Sequence, residues 1–146
     1  MKILSYQPEG YLPGILLDRG SGKFEISGKT CPEDAIEFYE PVFNWLDEYA
    51  QDPLEQTIFD FRLTYFNTVS SKILMMIMLR LEELSEEGNN VKVRWFYPED
   101  DEDLEEAGQD FESMVDIDFE FVSYEDDEDD EFYESDSAGD LIDSLL

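Results

Sequence analysis

The sequence predicts an α/β fold on a mixed sheet of about five strands, with helices mainly on one face, and three observations carry that prediction. Apolar and polar residues alternate with period two near 57–66, 91–97 and 117–121. Apolar residues recur at helical spacing in the stretches between, and a short glycine-containing loop near the start joins two further strand-like segments. The order reads β-β-α-β-α-β-α-β, with right-handed crossovers wherever parallel neighbours are joined.

Each element has its own warrant. Ile15-Leu16-Leu17-Asp18 and Phe24-Glu25-Ile26-Ser27 flank Arg19-Gly20-Ser21-Gly22, which reads as an antiparallel hairpin released at Gly28. Pro32 suits the first turn of a helix, and Glu33 and Asp34 suit its positive end. Ala35, Phe38, Tyr39, Val42, Trp45, Leu46 and Tyr49 then form one apolar stripe, with a kink expected at Pro41. From Thr57 to Phe66 the residues Phe59, Phe61, Leu63 and Tyr65 fall on one strand face and Asp60, Arg62 and Thr64 on the other. The next helix runs from after Asn67 to about Glu87, is apolar nearly all round in its first turns, and stops at Gly88-Asn89-Asn90. Val91, Val93, Trp95 and Tyr97 alternate with Lys92 and Arg94 in a strand closed by Pro98; acids from Glu99 to Glu106 open a third helix reaching about Met114. Ile117, Phe119 and Phe121 alternate with Asp118 and Glu120 in a last strand. Charge on alternate strand positions indicates that the sheet face away from the helices is partly solvated.

The chain has 146 residues and 42% apolar content, enough for one folded domain, expected over 1–123. Its formal net charge is −30, from 39 acids against 9 bases, which argues against nucleic acid or an anionic membrane as partner and for basic surfaces on proteins. Residues 95–146 carry 23 acids and no base. The stretch 124–146 reads as an acidic, flexible tail, ending in an apolar patch of Leu141, Ile142, Leu145 and Leu146. The longest apolar run, Ile73 to Leu79, covers seven residues and is far too short to cross a bilayer. With one cysteine and no apolar leader, a reducing, cytoplasmic setting is expected.

Catalytic signatures are missing. No histidine occurs, which removes the commonest general base and metal ligand. Neither acidic run has the spacing of a calcium loop, and neither glycine-rich phosphate-loop pattern follows a strand, so no metal or cofactor is expected. Cys31 has no partner to activate it and reads as structural. A carboxylate-based hydrolase has no spacing to mark its pair, and an acidic scaffold that binds a basic protein remains an alternative. What stands out is Tyr65-Phe66-Asn67-Thr68-Val69-Ser70-Ser71-Lys72, where a strand runs into hydroxyls at a helix start. Helix N-termini favour negative charge, so a phosphate on Thr68 would be held or felt there; Asn, Thr and Ser are also ordinary capping residues, and spacing alone leaves both readings open.

Several motifs in order resemble one family. Ile26-Ser27-Gly28 with Cys31-Pro32-Glu33, Phe38-Tyr39-Glu40-Pro41 with Trp45, the Tyr65–Lys72 stretch, and Trp95-Phe96-Tyr97 with Asp101, Glu106, Ala107 and Gly108 look like the bacterial regulatory phosphoproteins of the SiaC type, over about residues 10–122. The resemblance implies a fold similar to STAS domains and anti-sigma-factor antagonists, and partner switching without catalysis. It implies that Thr68 is phosphorylated by a dedicated kinase of the SiaB type and dephosphorylated by a PP2C-type phosphatase. The unmodified form is then expected to bind a diguanylate cyclase and promote its activity, with cyclic-di-GMP and biofilm behaviour downstream. The surface expected to meet partners is Tyr65, Asn67, Thr68, Ser70, Ser71 and Lys72. The tail from about Tyr124 to Leu146 departs from the family pattern.

Overall fold

The computed structural model describes residues 1–125 and contains, in chain order, β1 (Leu4–Tyr6), β2 (Gly14–Asp18), β3 (Lys23–Thr30), α1 (Ala35–Tyr49), β4 (Gln56–Phe66), α2 (Thr68–Glu86), β5 (Asn90–Pro98), α3 (Glu102–Met114) and β6 (Asp118–Tyr124). The strands hydrogen-bond in the order β1-β2-β3-β4-β5-β6. The fold is the expected α/β mixed sheet with one strand more than expected. Beyond residue 125, the expected acidic tail and its terminal apolar patch lie outside the described residues.

The extra strand, β1, spans only three residues and pairs antiparallel with β2. So short a segment shows no period, and its strand conformation comes from its neighbour. Lys2, just before it, accepts a hydrogen bond at 2.7 Å from the Trp45 indole N–H, which ties the start of the chain to α1. β2 and β3 form the expected antiparallel hairpin, while β3, β4, β5 and β6 are all parallel. Three successive crossovers between parallel neighbours step the same way across the sheet, and the right-handed rule for such connections places α1, α2 and α3 on one face.

Beneath the helices lies a core of Ile15, Leu17, Phe24, Ile26, Phe59, Phe61, Leu63, Val91, Val93 and Trp95 from the strands, closed by Tyr39, Trp45, Tyr49, Leu74, Ile77, Met78 and Leu81. The opposite face carries charge in cross-strand rows. Glu25, Asp60, Arg94 and Glu120 align across four strands. Arg94 meets Asp60 through two bonds of 2.7 Å. Phe96 belongs to this open face yet is buried, because the Arg62 guanidinium sits 3.7 Å from its ring centroid and Arg94 5.3 Å.

Local departures from expectation have local causes. Helix α1 starts at Ala35 rather than Pro32: β3 extends to Thr30, and Asp34 serves as N-cap by accepting from the Glu37 N–H at 3.1 Å. Pro41 lies inside α1, which remains one helix through it. Tyr65 does not join the Phe59-Phe61-Leu63 face, because the β3–β4 register shifts between Gly28 and Lys29. Gly28 pairs with Leu63 but Lys29 with Tyr65, so Thr64 is an extra residue, and Gly28 takes φ +83 at this bulge. The bulge exposes both Thr64 and Tyr65 and turns Phe66 onto Trp95 and Phe111 instead. At the far end of α2, Gly88 takes φ +100 and Asn89 N–H returns to the Leu84 carbonyl, ending the helix where the sequence placed the stop.

Candidate functional site

The β4–α2 junction is built from its backbone outward. Asn67 is the N-cap of α2: its side-chain oxygen accepts from the Ser70 N–H at 2.9 Å and its carbonyl accepts from Ser71 N–H at 2.9 Å. Thr68 is therefore the first helical residue and Val69 the second, and helix geometry leaves the N–H groups of both without an intrahelical acceptor. That end of the helix carries partial positive charge.

The three hydroxyls at the junction have different fates. Thr68 is exposed. Ser71 is partly exposed and its hydroxyl donates to the Thr68 carbonyl at 2.8 Å. Ser70 is fully buried, and its oxygen accepts from the Thr30 hydroxyl at 3.2 Å. Thr30 in turn bonds the Tyr39 hydroxyl at 2.7 Å, so the end of β3, the middle of α1 and the first turn of α2 share one buried hydroxyl chain. Burial pushes the Tyr39 phenol up to about 12. Ser70 thus corrects the expected recognition surface: its side chain faces the core and positions the junction.

Charge around Thr68 is asymmetric. Lys72, four residues on and so on the same helix face, is exposed and has no ion pair among the described residues. On the other side, Thr64, Tyr65 and Phe66 border a shallow depression of about 300 Å³ whose far wall is Asp101, Asp103, Leu104 and Ala107 of the α3 start. Toward α1, an apolar groove of about 580 Å³ runs between the two helices, with Ile36, Phe43, Val69, Ile73 and Met76 in its lining. Ile36 is 72% exposed, Val69 52% and Met76 46%.

A family model for SiaC family regulatory phosphoproteins matches residues 6–124. The chain belongs to the SiaC family of regulatory phosphoproteins. It is 32% identical over 99 residues to an uncharacterized protein of Pseudomonas aeruginosa strain UCBPP-PA14, covering 68% of this chain and 79% of that one. It is similar to the crystal structure of apo-SiaC from Pseudomonas aeruginosa, with a TM-score of 0.77, 28% identity, and coverage of 84% of this chain and 100% of the other. It is also similar, at a TM-score of 0.79 and 28% identity over 83% of this chain and 99% of the other, to a chain in the crystal structure of the diguanylate cyclase SiaD in complex with its activator SiaC from the same organism. No helix among the described residues is long and apolar enough to cross a membrane.

The expected site residues do converge, with the one exception. Tyr65, Asn67, Thr68, Ser71 and Lys72 all reach the surface or its edge at one helix start, and Ser70 lies beneath. Sequence reasoning missed the groove wall contributed by α1. Ile36 and Phe43 stand seven residues apart, as do Val69 and Met76, so each helix carries a second apolar line beside its core stripe. Those spare apolar positions were the available signal.

Proposed function

We propose that the chain is a non-catalytic partner switch whose unmodified form binds and promotes a diguanylate cyclase, and whose signal is reversible phosphorylation of Thr68 by a dedicated SiaB-type kinase, opposed by a PP2C-type phosphatase. The observation that carries the reading is the sorting of the junction hydroxyls. In a family of regulatory phosphoproteins, Thr68 offers an exposed side chain at the first position of α2, while Ser70 is buried and the Ser71 hydroxyl is engaged. The resemblance to the activator found with its cyclase supplies the class of effector.

The physics is local. A phosphate at Thr68 stands at a helix end whose first N–H groups have no intrahelical acceptor, four residues from Lys72, a stabilisation of about 0.3–1 kcal/mol when exposed and about 2 kcal/mol when partly buried. Against it stands the field of a chain with formal net charge −30. Neither effect refolds the domain. The surface presented to the effector changes instead, from a small hydroxyl beside an apolar groove to a bulky dianion, and desolvating that dianion in a complex removes binding energy. Incubation with the cognate kinase followed by mass-spectrometric mapping tests the assignment: phosphate on Thr68, absent from the Thr68→Val protein, is expected, and modification confined to Ser71 or to a serine after residue 125 would overturn it.

A further inference from the structure

We propose that the chain's own segment 137–146 docks in cis in the α1–α2 groove and, resting on the partner-switch reading above, that it competes there with the effector. The match to the family ends at residue 124, so this segment lies beyond the shared domain. It also differs from the stretch before it: residues 126–136 carry eight acids, whereas 137–146 carry two, Asp140 and Asp143. Leu141, Ile142, Leu145 and Leu146 recur at i, i+1, i+4 and i+5, the spacing of one helix side, which leaves both acids on the other side. The groove offers a matching surface. Its lining is mostly aliphatic, from Ile36, Val69, Ile73 and Met76, and Ile36, at 72% exposure, is the most exposed large apolar side chain among the described residues. The surface is preformed: the Tyr39–Thr30–Ser70 hydroxyl chain ties α1 to α2, as does Arg80, paired with Asp47 at 2.8 Å and 4.6 Å from the Phe43 ring centroid.

The tether has the right length and origin. Strands β3, β4 and β6 are parallel, so α1, α2 and the tail all leave from one edge of the sheet, with the ends of β4 and β6 two strand spacings, or about 10 Å, apart. The stretch 126–140 spans about 20 Å as a flexible coil and about 50 Å when extended, and the self-repulsion of its acids lengthens the coil. Charge opposes the contact and selects the part of the tail that makes it. Asp34, Glu37 and Glu40 on the α1 side repel the acids of 126–136, which stay in water as a spacer, while the charge-poor end meets the apolar floor beside Lys72, the one cation in the lining. Tethering favours the cis occupant over a second copy, because a short flexible linker supplies an effective concentration on the order of 1 mM. A weak apolar contact with an intrinsic Kd of about 0.2 mM is then closed in about five molecules of six, and an effector needing the open groove binds about six-fold more weakly. Val69 directly follows Thr68, so the seated segment covers the surface on which the switch acts.

The test uses the full-length chain with a photo-reactive phenylalanine at position 145. Irradiation of the protein alone is expected to give intramolecular adducts on Ile73 or Met76 that are lost with Ile36→Asp; adducts joining two copies, or none in the groove, would overturn the cis contact. Leu141→Asp/Leu145→Asp, checked for folding by circular dichroism, gives a second reading without the label: its backbone amide resonances should differ from wild type at 36–43 and 69–76, and superimposable spectra of the two proteins would count against docking. Titrated with the diguanylate cyclase of its own organism, that double variant is expected to bind about six-fold more tightly than wild type. Affinities within about two-fold, with the adducts in place, would overturn the competition. If neither protein binds the cyclase while the adducts still form, the partner-switch reading and the competition fall and the cis contact stands.

Discussion

Replacing Thr30 by valine removes the centre of the buried hydroxyl chain with almost no change of shape. Thr30 bonds Tyr39 at 2.7 Å and Ser70 at 3.2 Å, and all three residues are fully buried. Thr30→Val therefore deletes two hydrogen bonds, each worth about 0.5–1.5 kcal/mol net, and leaves two buried hydroxyls without that partner. The expected loss is about 2–4 kcal/mol, a large share of the stability of a domain this size. Tyr39→Phe leaves Thr30 still bonded to Ser70, and Ser70→Ala leaves Thr30 still bonded to Tyr39. Each is expected to lose about 0.5–1.5 kcal/mol, with Ser70→Ala the milder because its bond is the longer. Urea denaturation of the three variants and wild type gives the ranking. Hydrogen exchange at Ser70 and Ser71 then shows whether the α2 start loosens with it. A Thr30→Val protein as stable as wild type, or more stable than Tyr39→Phe, would refute the reasoning.

The same chain gives a pH prediction. Tyr39 has a folded value of about 12 against the ordinary 10.0, so above pH 10 the unfolded chain releases its proton first; stability is intact below about pH 10 and is lost as pH rises toward 12, by on the order of 2–3 kcal/mol, and denaturation at pH 9–12 should show a shallower decline in Tyr39→Phe. Gly108 of α3 lies against the Trp95 indole: an added Cβ would stand 2.5 Å from one ring carbon and 2.6 Å from its nitrogen, so Gly108→Ala should destabilise by about 1–3 kcal/mol despite its better helix propensity, measurable as a lower denaturation midpoint. Asn67→Ala removes the α2 cap and should cost about 1 kcal/mol while Asn67→Asp restores it, whereas equal stability of all three would show that the cap contributes nothing.

Much of the fold was legible because its signals are periodic. The strand from Thr57 to Phe66 and the helix that follows Asn67 were read from period and cap alone, and their observed bounds, Gln56–Phe66 and Thr68–Glu86, lie within a residue of that reading. Features created by pairing were not legible. β1 is too short to show a period and exists through β2. Tyr65 was placed on the wrong face because a bulge opposite Gly28 shifts the phase of the last residues of β4, and no period within one strand reports a register shift against its neighbour. The same limit applies to the site. Asn67 was readable as a cap, and Thr68 was singled out by a family resemblance rather than by spacing. The burial of Ser70 depends on Thr30 and Tyr39, forty and thirty-one positions earlier in the chain, and so does the groove wall of Ile36 and Phe43 depend on how α1 lies beside α2.

The central claim is that phosphate on Thr68 releases the effector, and the direct measurement is the affinity of the diguanylate cyclase for stoichiometrically Thr68-phosphorylated protein against the unmodified protein. Loss of several kcal/mol through like-charge contact and desolvation predicts binding weaker by about a hundred-fold or more, with circular dichroism and unfolding midpoint unchanged and with Thr68→Ala retaining the fold. Equal affinity of the two forms, each verified as folded and as fully modified or unmodified, would contradict the account.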